Sequence, residues 1–494
     1  MNRIDRSHNA CLWALVLLLG FACAGPAAAQ AWTQLGPTGG PPAARELHSA
    51  VYNTVDNRMI VFGGLDGGSG CYASQCLNDV WVLTHADGTG GSPVWAQLST
   101  TGGPPSARGF QASAYDAANN RMIIFAGDPN IGFCSGTVND TWVLANADGM
   151  GGTPTWTQLS PTGGPPALGQ GSSAVYDPAT NRMTVFGGNV TACGAISNVV
   201  WVLTNANGLG GTPVWTQLSP TGTITAREYH SAVYNASSNR MIVVDGCSNA
   251  ACPLNEVWVL SNANGIGTPA WSQLSPTGTP PTARYVSTSV YDPATNSMVV
   301  FGGSSSGGLV NDAWKLSHAD GTGGTPAWTQ LSPAGTPPTA RYSHTAVYNA
   351  ANNRMIVFGG YNGGFLNDTW VLSNASGIVN VPVTIDIRPN VAINTISRTT
   401  GTTVPVAILS SATFNALTSV NRTSLTFGHA GTEASLIGCN ARGQDVNADG
   451  RMDLVCQFNG TLGGFQMGDT IGYLQGATLV GNPISGSDSV LILQ

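Results

Sequence analysis

The chain has 494 residues, 42% of them hydrophobic and only 9% charged, with a net charge of −7. It is long enough for two or three domains. It has no Arg/Lys cluster or basic stripe, which excludes the electrostatic footprint of a nucleic-acid binder, and its charge-poor acidic surface argues against anionic membranes. Ser, Thr, Asn and Gly must supply the polar surface, as is common in extracellular β-proteins.

At the N-terminus, Arg3 and Arg6 precede the apolar run CLWALVLLLGFACAG at 11–25, and the small triad Ala27-Ala28-Ala29 follows. This three-part pattern predicts a secretory signal peptide over 1–29. A retained anchor is the alternative, but the run is too short to span a bilayer comfortably. No later stretch is long and apolar enough to cross one, so the predicted location is secreted, periplasmic or cell-surface. Removing the signal removes Cys11 and Cys23 and leaves eight cysteines in an oxidising compartment. Their positions suggest disulfides Cys71–Cys76, Cys247–Cys252 and Cys439–Cys456. Cys134–Cys193 would join corresponding loops of successive repeats. A metal site is the rival reading, but no histidine accompanies these cysteines at zinc-finger spacing.

The tryptophans set a period. Trp81, Trp142, Trp201, Trp258, Trp314 and Trp370 each stand in a W-x-L context, 56–61 residues apart. Trp95, Trp156, Trp215, Trp271 and Trp328 form a second series, mostly W-T-Q-L, to which Trp32 supplies a sixth member. A fixed period of this length signals a repeat architecture. Each repeat reads as four short strands, like HSAVYN at 48–53, RMIVFGG at 58–64, NDVWVL at 78–83 and WAQL at 95–98. They are rich in β-branched and aromatic residues and bounded by Gly, Pro, Asn or Asp. Turn pairs such as Asp56-Asn57 and Asn352-Asn353 suit tight hairpins.

Four-stranded units with Gly-Gly after the second strand and Trp in the third resemble the kelch motif. The resemblance covers about residues 31–378 and implies an all-β propeller of six blades over 30–378. Gly63-Gly64, Gly187-Gly188, Gly302-Gly303 and Gly359-Gly360 match; Ala126-Gly127 and Asp245-Gly246 deviate at the first position. An arginine recurs as Arg45, Arg108, Arg227, Arg284 and Arg341, with Leu168 in its place in the third repeat. Both tryptophans of each repeat are expected to pack between adjacent sheets. The sixth repeat lacks a fourth strand and the mature N-terminus opens with an orphan one, AWTQL. Residues 31–35 are therefore predicted to complete the last blade and hide two edges.

From Val379 the repeat stops. VPVTIDIRPN, TVPVAILSS and SLTFGHAG read as strands of a separate β-sandwich-like module over 379–494. The segment resembles a C-terminal module found on many secreted bacterial proteins. Within it, DVNADGRMD at 445–453 resembles the start of a calcium loop. Asp445, Asn447, Asp449 and Asp453 would offer side chains and Arg451 its carbonyl, with calcium as a structural ion. Position twelve is Cys456 in place of the bidentate Glu, so the loop is incomplete, and a metal-free Asx-rich turn is the alternative.

Residues just after the repeated arginine should approach the central opening: Glu46, Phe110, Gln170, Glu228, Tyr229, Tyr285 and Tyr342. Aromatic and carboxylate groups around a funnel suit sugars or peptides. His48, His230 and His344 recur at the start of the first strand, where a structural role is expected. Kelch-like propellers include a copper oxidase of galactose and a sialic acid mutarotase. No cysteine here matches the Tyr–Cys cross-link of the first, and Glu46 or Glu228 imitates the second only weakly. There is no G-x-S-x-G, H-E-x-x-H or glycine-rich phosphate loop. The expectation is a monomeric binding module for an extracellular glycan or protein, without nucleotide or redox cofactor. A carbohydrate-active enzyme and a cell-surface structural spacer are the alternatives. A convergent Glu/Arg/His cluster in a deep mouth would favour catalysis; a shallow, Tyr-lined or blocked mouth would favour binding.

Overall fold

The computed structural model describes residues 30–67, 76–130, 138–190, 195–377, 381–398, 401–479 and 482–493. The chain divides into two compact units, with the boundary between Ile378 and Val379. No helix among the described residues is long and apolar enough to cross a membrane.

The first unit holds six four-stranded antiparallel sheets. In the first of them Ser49–Asn53, Arg58–Leu65, Cys76–Thr84 and Val94–Gln97 lie in sequence order. The second strand of each repeat is apolar at successive positions because its sheet is covered on both faces. Met59, Ile60, Val61 and Phe62 are all fully buried. Its Gly-Gly opens a bulge. A Cβ on Gly63 would sit 2.9 Å from the Arg108 carbonyl oxygen, and one on Gly64 2.6 Å from that of Glu46. Past the bulge, pairing resumes as Gly64↔Leu77 and Leu65↔Cys76. The third strand therefore starts at Cys76, earlier than its sequence pattern suggests.

The first strands of successive sheets contact one another in order, and the sixth returns to the first. In the sixth sheet, Ala31–Leu35 pairs antiparallel with Phe365–Ser373, in register from Ala31↔Ser373 to Leu35↔Thr369. The other edge of this strand is also held, since Trp32 N–H donates to Ala334 O (2.9 Å). Every repeat uses that device. The connector bridges in parallel to the next outermost strand, as in Thr38↔Val94 and Thr101↔Thr155, and so caps part of its outer edge. Gly39 permits it: its φ is +86°, and a Cβ there would meet the Trp95 carbonyl oxygen at 2.2 Å.

The two tryptophan series do different work. Trp95, Trp156, Trp215 and Trp271 lie between sheets against a phenylalanine of the preceding repeat, as in Trp156–Phe62 at 5.1 Å. Trp32 meets Phe301 in the same way at 4.9 Å. The W-x-L series packs on the same inter-sheet clusters but nearer their margin, and Trp314 alone of these six is buried. Trp81, Trp142, Trp201, Trp258 and Trp370 are only half-buried, and Trp81 Nε1 donates to Asp79 at 2.7 Å.

That aspartate is also the partner of the repeated arginine. Arg45 is wholly buried, makes a two-pronged pair with Asp79 (2.7 and 2.9 Å) and donates to the carbonyls of Ala43 and Gly63. Arg108–Asp140, Arg227–Glu256, Arg284–Asp312 and Arg341–Asp368 repeat the pair. In the third repeat both partners change together: Leu168 stands for the arginine and Val199 for the carboxylate, and both join one apolar cluster. A buried ion pair has been exchanged for an apolar pair of the same location, which buried pairs tolerate when both members go.

A second pairing keys every repeat but the fifth to the one that follows. The last residue of the first strand bonds a turn residue of the following repeat: Asn53 to Asp148, Asp116 to Asn207, Asp177 to Asn264, Asn235 to Asp320, and Asn349 of the sixth repeat to Asp87 of the first, at 2.6–2.8 Å. Each pair combines one carboxylate with one amide, so no two acceptors are opposed.

The second unit has two four-stranded sheets, a two-stranded parallel pair and one helical turn, Ala416–Ser419. Ile387, Val406 and Phe458 from one four-stranded sheet and Phe427, Leu474 and Ile484 from the other share one core.

Candidate ligand-binding mouth

Three layers of residues follow each repeated arginine toward the ring centre. The middle layer is Leu47, Phe110, Gly171, Tyr229, Val286 and Ser343, all with φ between +47° and +69°. Main-chain hydrogen bonds of 3.0–3.1 Å run around it, from Leu47 N–H to Ser343 O, Phe110 to Leu47, Tyr229 to Gly171, Val286 to Tyr229 and Ser343 to Val286. These contacts hold non-glycine residues in a conformation that costs on the order of 1 kcal/mol each. Gly171 has a specific reason to lack a side chain. A Cβ there would come within 3.1 Å of the Tyr229 ring, which leans across to meet Phe110 at 5.1 Å.

Beneath lie His48, Gln111, Ser172, His230, Ser287 and His344. The three histidines are buried, and Nε2 of each contacts a hydroxyl of an adjacent sheet: Thr345, Ser173 and Thr288, at 2.7–2.9 Å. Burial and the nearby arginines hold His230 and His344 down to about 3, so both are neutral. Each histidine covers the first glycine of a neighbouring bulge. A Cβ on Gly187 would meet His230 at 2.8 Å, one on Gly302 would meet His344 at 2.8 Å, and one on Gly359 would meet His48 at 3.0 Å. The two departures from Gly-Gly are compensated by size. Opposite Ala126 and Asp245 the covering residue shrinks to Ser172 and Ser287, and Ser287 donates to Asp245 at 2.8 Å. Burial pushes the Asp245 carboxyl up to about 7.

These two layers line a cavity of about 160 Å³. Of the residues expected at the opening, Phe110 and Tyr229 line it directly. The Tyr342 ring lies 5.7 Å from that of Tyr361 and feels Glu46 and Tyr285 electrostatically, and Tyr229 feels Glu228, Asp128 and Tyr285. Gln170 is buried. Burial lifts Glu46 to about 7, with Ser343 opposing, and also raises Glu228, against its 2.6 Å bond from Asn189. The repeated arginines are tied to their carboxylates and present no cation here. The described residues bring no three His, Cys, Asp or Glu side chains into a metal-holding group.

Cys247–Cys252 and Cys439–Cys456 are disulfides, the latter enclosing 445–453. The Cys71–Cys76 and Cys134–Cys193 pairings involve positions outside the described residues. In the 445–453 loop, Asp445 accepts the N–H groups of Asp449 and Gly450, Asn447 also accepts from Asp449, and Asp449 accepts from Arg451. Asp453 is wholly buried and uses both oxygens on the main chain of Ser410 and Val446. Asp445, Asn447 and Asp449 thus form Asx-type turns within the loop.

A ring of four-stranded sheets with a bulged second strand defines a β-propeller of kelch type. The chain matches the KLHDC2/KLHL20/DRC7 Kelch-repeats domain over residues 26–204 and 177–377, and it belongs to that kelch-repeat family. Among curated proteins it is similar to Adagio-like protein 1 of Oryza sativa subsp. japonica, at 24% identity, covering 70% of this chain and 51% of the relative. It is also similar to the Rab9 effector protein with kelch motifs of Danio rerio, at 27% identity, covering 45% of this chain and 63% of that one. The chain spans about half the length of the curated relatives it matches. A solved structure described as "Structure of YjhT" aligns with 13% identity and a TM-score of 0.46, covering 69% of this chain and 95% of that one.

Proposed function

We propose that this chain is a secreted kelch-repeat interaction module whose six-bladed propeller, closed by residues 31–35, binds a protein or carbohydrate ligand at its mouth. The observation that carries this reading is the size and lining of the mouth. The cavity of about 160 Å³ falls well below the roughly 300–1,000 Å³ of pockets that enclose a substrate. It is overhung by Phe110 and Tyr229, and among the described residues its lining holds three histidines but no glutamate or arginine. Such an arrangement favours recognition by contact over enclosed chemistry. The kelch motifs in the name of the Rab9 effector agree with a protein partner. The mature chain acts outside the cytoplasm, and residues 379–494 form a sandwich-like accessory module. The test is a screen of the mature protein on peptide and glycan arrays, wild type against Phe110→Ser and Tyr342→Ala. Binding that both substitutions abolish supports the reading; a ligand retained by both variants, or turnover of a sugar substrate, overturns it.

Calcium in the 445–453 loop is a separate proposal, resting on the order of Asp445, Asn447, Asp449 and Arg451. It requires the loop to regroup from its present turns, with Asp453 remaining a main-chain anchor. Calcium should then raise the melting temperature of the second unit and EGTA reverse it; identical melts would refute the ion.

A further inference from the structure

The chemistry of the mouth narrows the partner, an inference that rests on the interaction reading above. We infer that the mouth receives a basic side chain, lysine or arginine, presented by a partner protein. Glu46, Tyr342, Tyr285, Tyr229 and Glu228 stand at the mouth on the first, sixth, fifth and fourth repeats, close enough for Tyr342 to feel Glu46 and Tyr285, and Tyr229 to feel Glu228 and Tyr285, electrostatically. Tyr361 joins them, with its ring 5.7 Å from that of Tyr342. Faces of aromatic rings and carboxylates both attract a cation, and a guanidinium or ammonium over a tyrosine gains from the ring quadrupole.

This group has no cation of its own. Arg45, Arg108, Arg227, Arg284 and Arg341 are 0–1% exposed and already paired. His230 and His344 are neutral. Glu46 Oε2 is buried without a hydrogen-bond partner among the described residues. The cavity itself makes a second, independent demand. His48, Gln111, His230 and His344 line it and are more than nine-tenths buried, yet Gln111 Oε1 and the three Nδ1 atoms lack partners among the described residues. Ser172 and Ser343 hydroxyls are also unpartnered there, and Gln111 Oε1 and Glu46 Oε2 are the fixed acceptors that the donors of an ammonium or guanidinium tip held at the rim would satisfy. A cavity of about 160 Å³ admits the tip of one side chain but not a folded ligand. The chain's net charge of −7 would steer a basic partner toward it.

The experiment uses the full mature chain and three capped decapeptides, alternating Lys-Ala, Glu-Ala and Ser-Ala, read by fluorescence anisotropy, with a peptide and glycan array in parallel. The Lys-Ala peptide should bind at low salt and weaken as salt rises. Its affinity should fall at least tenfold in Glu46→Gln/Glu228→Gln and in Tyr342→Ala, while Tyr342→Phe keeps most of it. Thermal melts of each variant confirm folding. Preference for the Glu-Ala or Ser-Ala peptide, or Lys-Ala binding unchanged in the variants, overturns the inference. If the array shows mouth-dependent binding of an acidic peptide or a glycan, the interaction reading stands and only the basic-guest inference falls. If no mouth-dependent binding occurs at all, both fall.

Discussion

Replacing Arg108 by leucine removes a guanidinium that is 1% exposed and leaves Asp140 beneath the mouth without its cation. Arg108 also donates to the carbonyls of Ser106 and Ala126 at 2.9 and 3.0 Å. Breaking one member of a buried pair costs about 3–5 kcal/mol; Asp140 keeps the Trp142 indole bond at 2.7 Å and is 22% exposed, which puts this loss near the lower figure. Asp140→Val should cost a similar amount through the stranded guanidinium. The double variant, Arg108→Leu/Asp140→Val, reproduces what the third repeat already carries at Leu168 and Val199. It gives up two carbonyl bonds, the Ser106 hydroxyl bond and the Trp142 indole bond, about 1 kcal/mol each, but no longer desolvates two charges. It should therefore unfold within about 4 kcal/mol of wild type, against about 6 or more if the two losses simply added. Urea unfolding followed by tryptophan fluorescence is the assay; every tryptophan beyond Trp13 lies between residues 32 and 370, so in a chain starting at Gln30 the emission reports the first unit alone. A double variant as unstable as the sum of the singles would refute the argument that Leu168 and Val199 are a matched exchange.

The sixth repeat is locked to the first through Asn349 and Asp87, so Asn349→Asp should oppose two carboxylates and lower the melting temperature, while Asn349→Asp/Asp87→Asn, which copies the order at Asp116 and Asn207, should recover most of it; no recovery would dismiss the pairing. Trp32→Ala should cost about 3–5 kcal/mol, like Trp156→Ala, because both rings fill the space between sheets, and a loss below about 1 kcal/mol would show that residues 31–35 do not close the ring. The raised carboxyls of Glu46 and Asp245 bind their protons more tightly folded than unfolded. Their contribution is complete below about pH 4 and is lost as pH rises through about 7. Melting temperature should thus fall from pH 5 to 8, less steeply in Asp245→Asn; an unchanged slope would acquit Asp245. At the acid end the sign reverses. Burial raises Asp140, Asp312 and Asp368, but their arginines overcome it and hold them below the usual value, so stability should fall as they protonate at low pH.

The period, the strand pattern and the unpaired AWTQL segment were legible because each depends on side-chain size and alternation, which sequence records directly. The partner of the repeated arginine was less visible: Asp79, Asp140, Asp312 and Asp368 recur two residues before the W-x-L tryptophan, and only their joint loss with the arginine at Leu168 and Val199 betrays the pair. The left-handed middle layer had no signal, since Leu47, Phe110, Tyr229, Val286 and Ser343 are not residues that announce positive φ; neighbouring main chains impose it. Phe110 and Tyr229 could be expected near the opening, but their contact depends on the absent side chain of Gly171, a three-body relation. The 445–453 spacing suggests an ion, whereas Asp453 shows how main-chain N–H groups compete for the same oxygens.

The amide–carboxylate keys and the glycine–histidine size matches give each repeat an identity, although all six look alike in outline. Cutting the chain at one connector and rejoining its ends elsewhere preserves every neighbour. Moving a repeat to a different place in the order would set acid against acid and imidazole against methyl. The circle tolerates a new starting point far better than a new sequence of stations, so lineages that lengthen or shorten it must alter abutting units in concert.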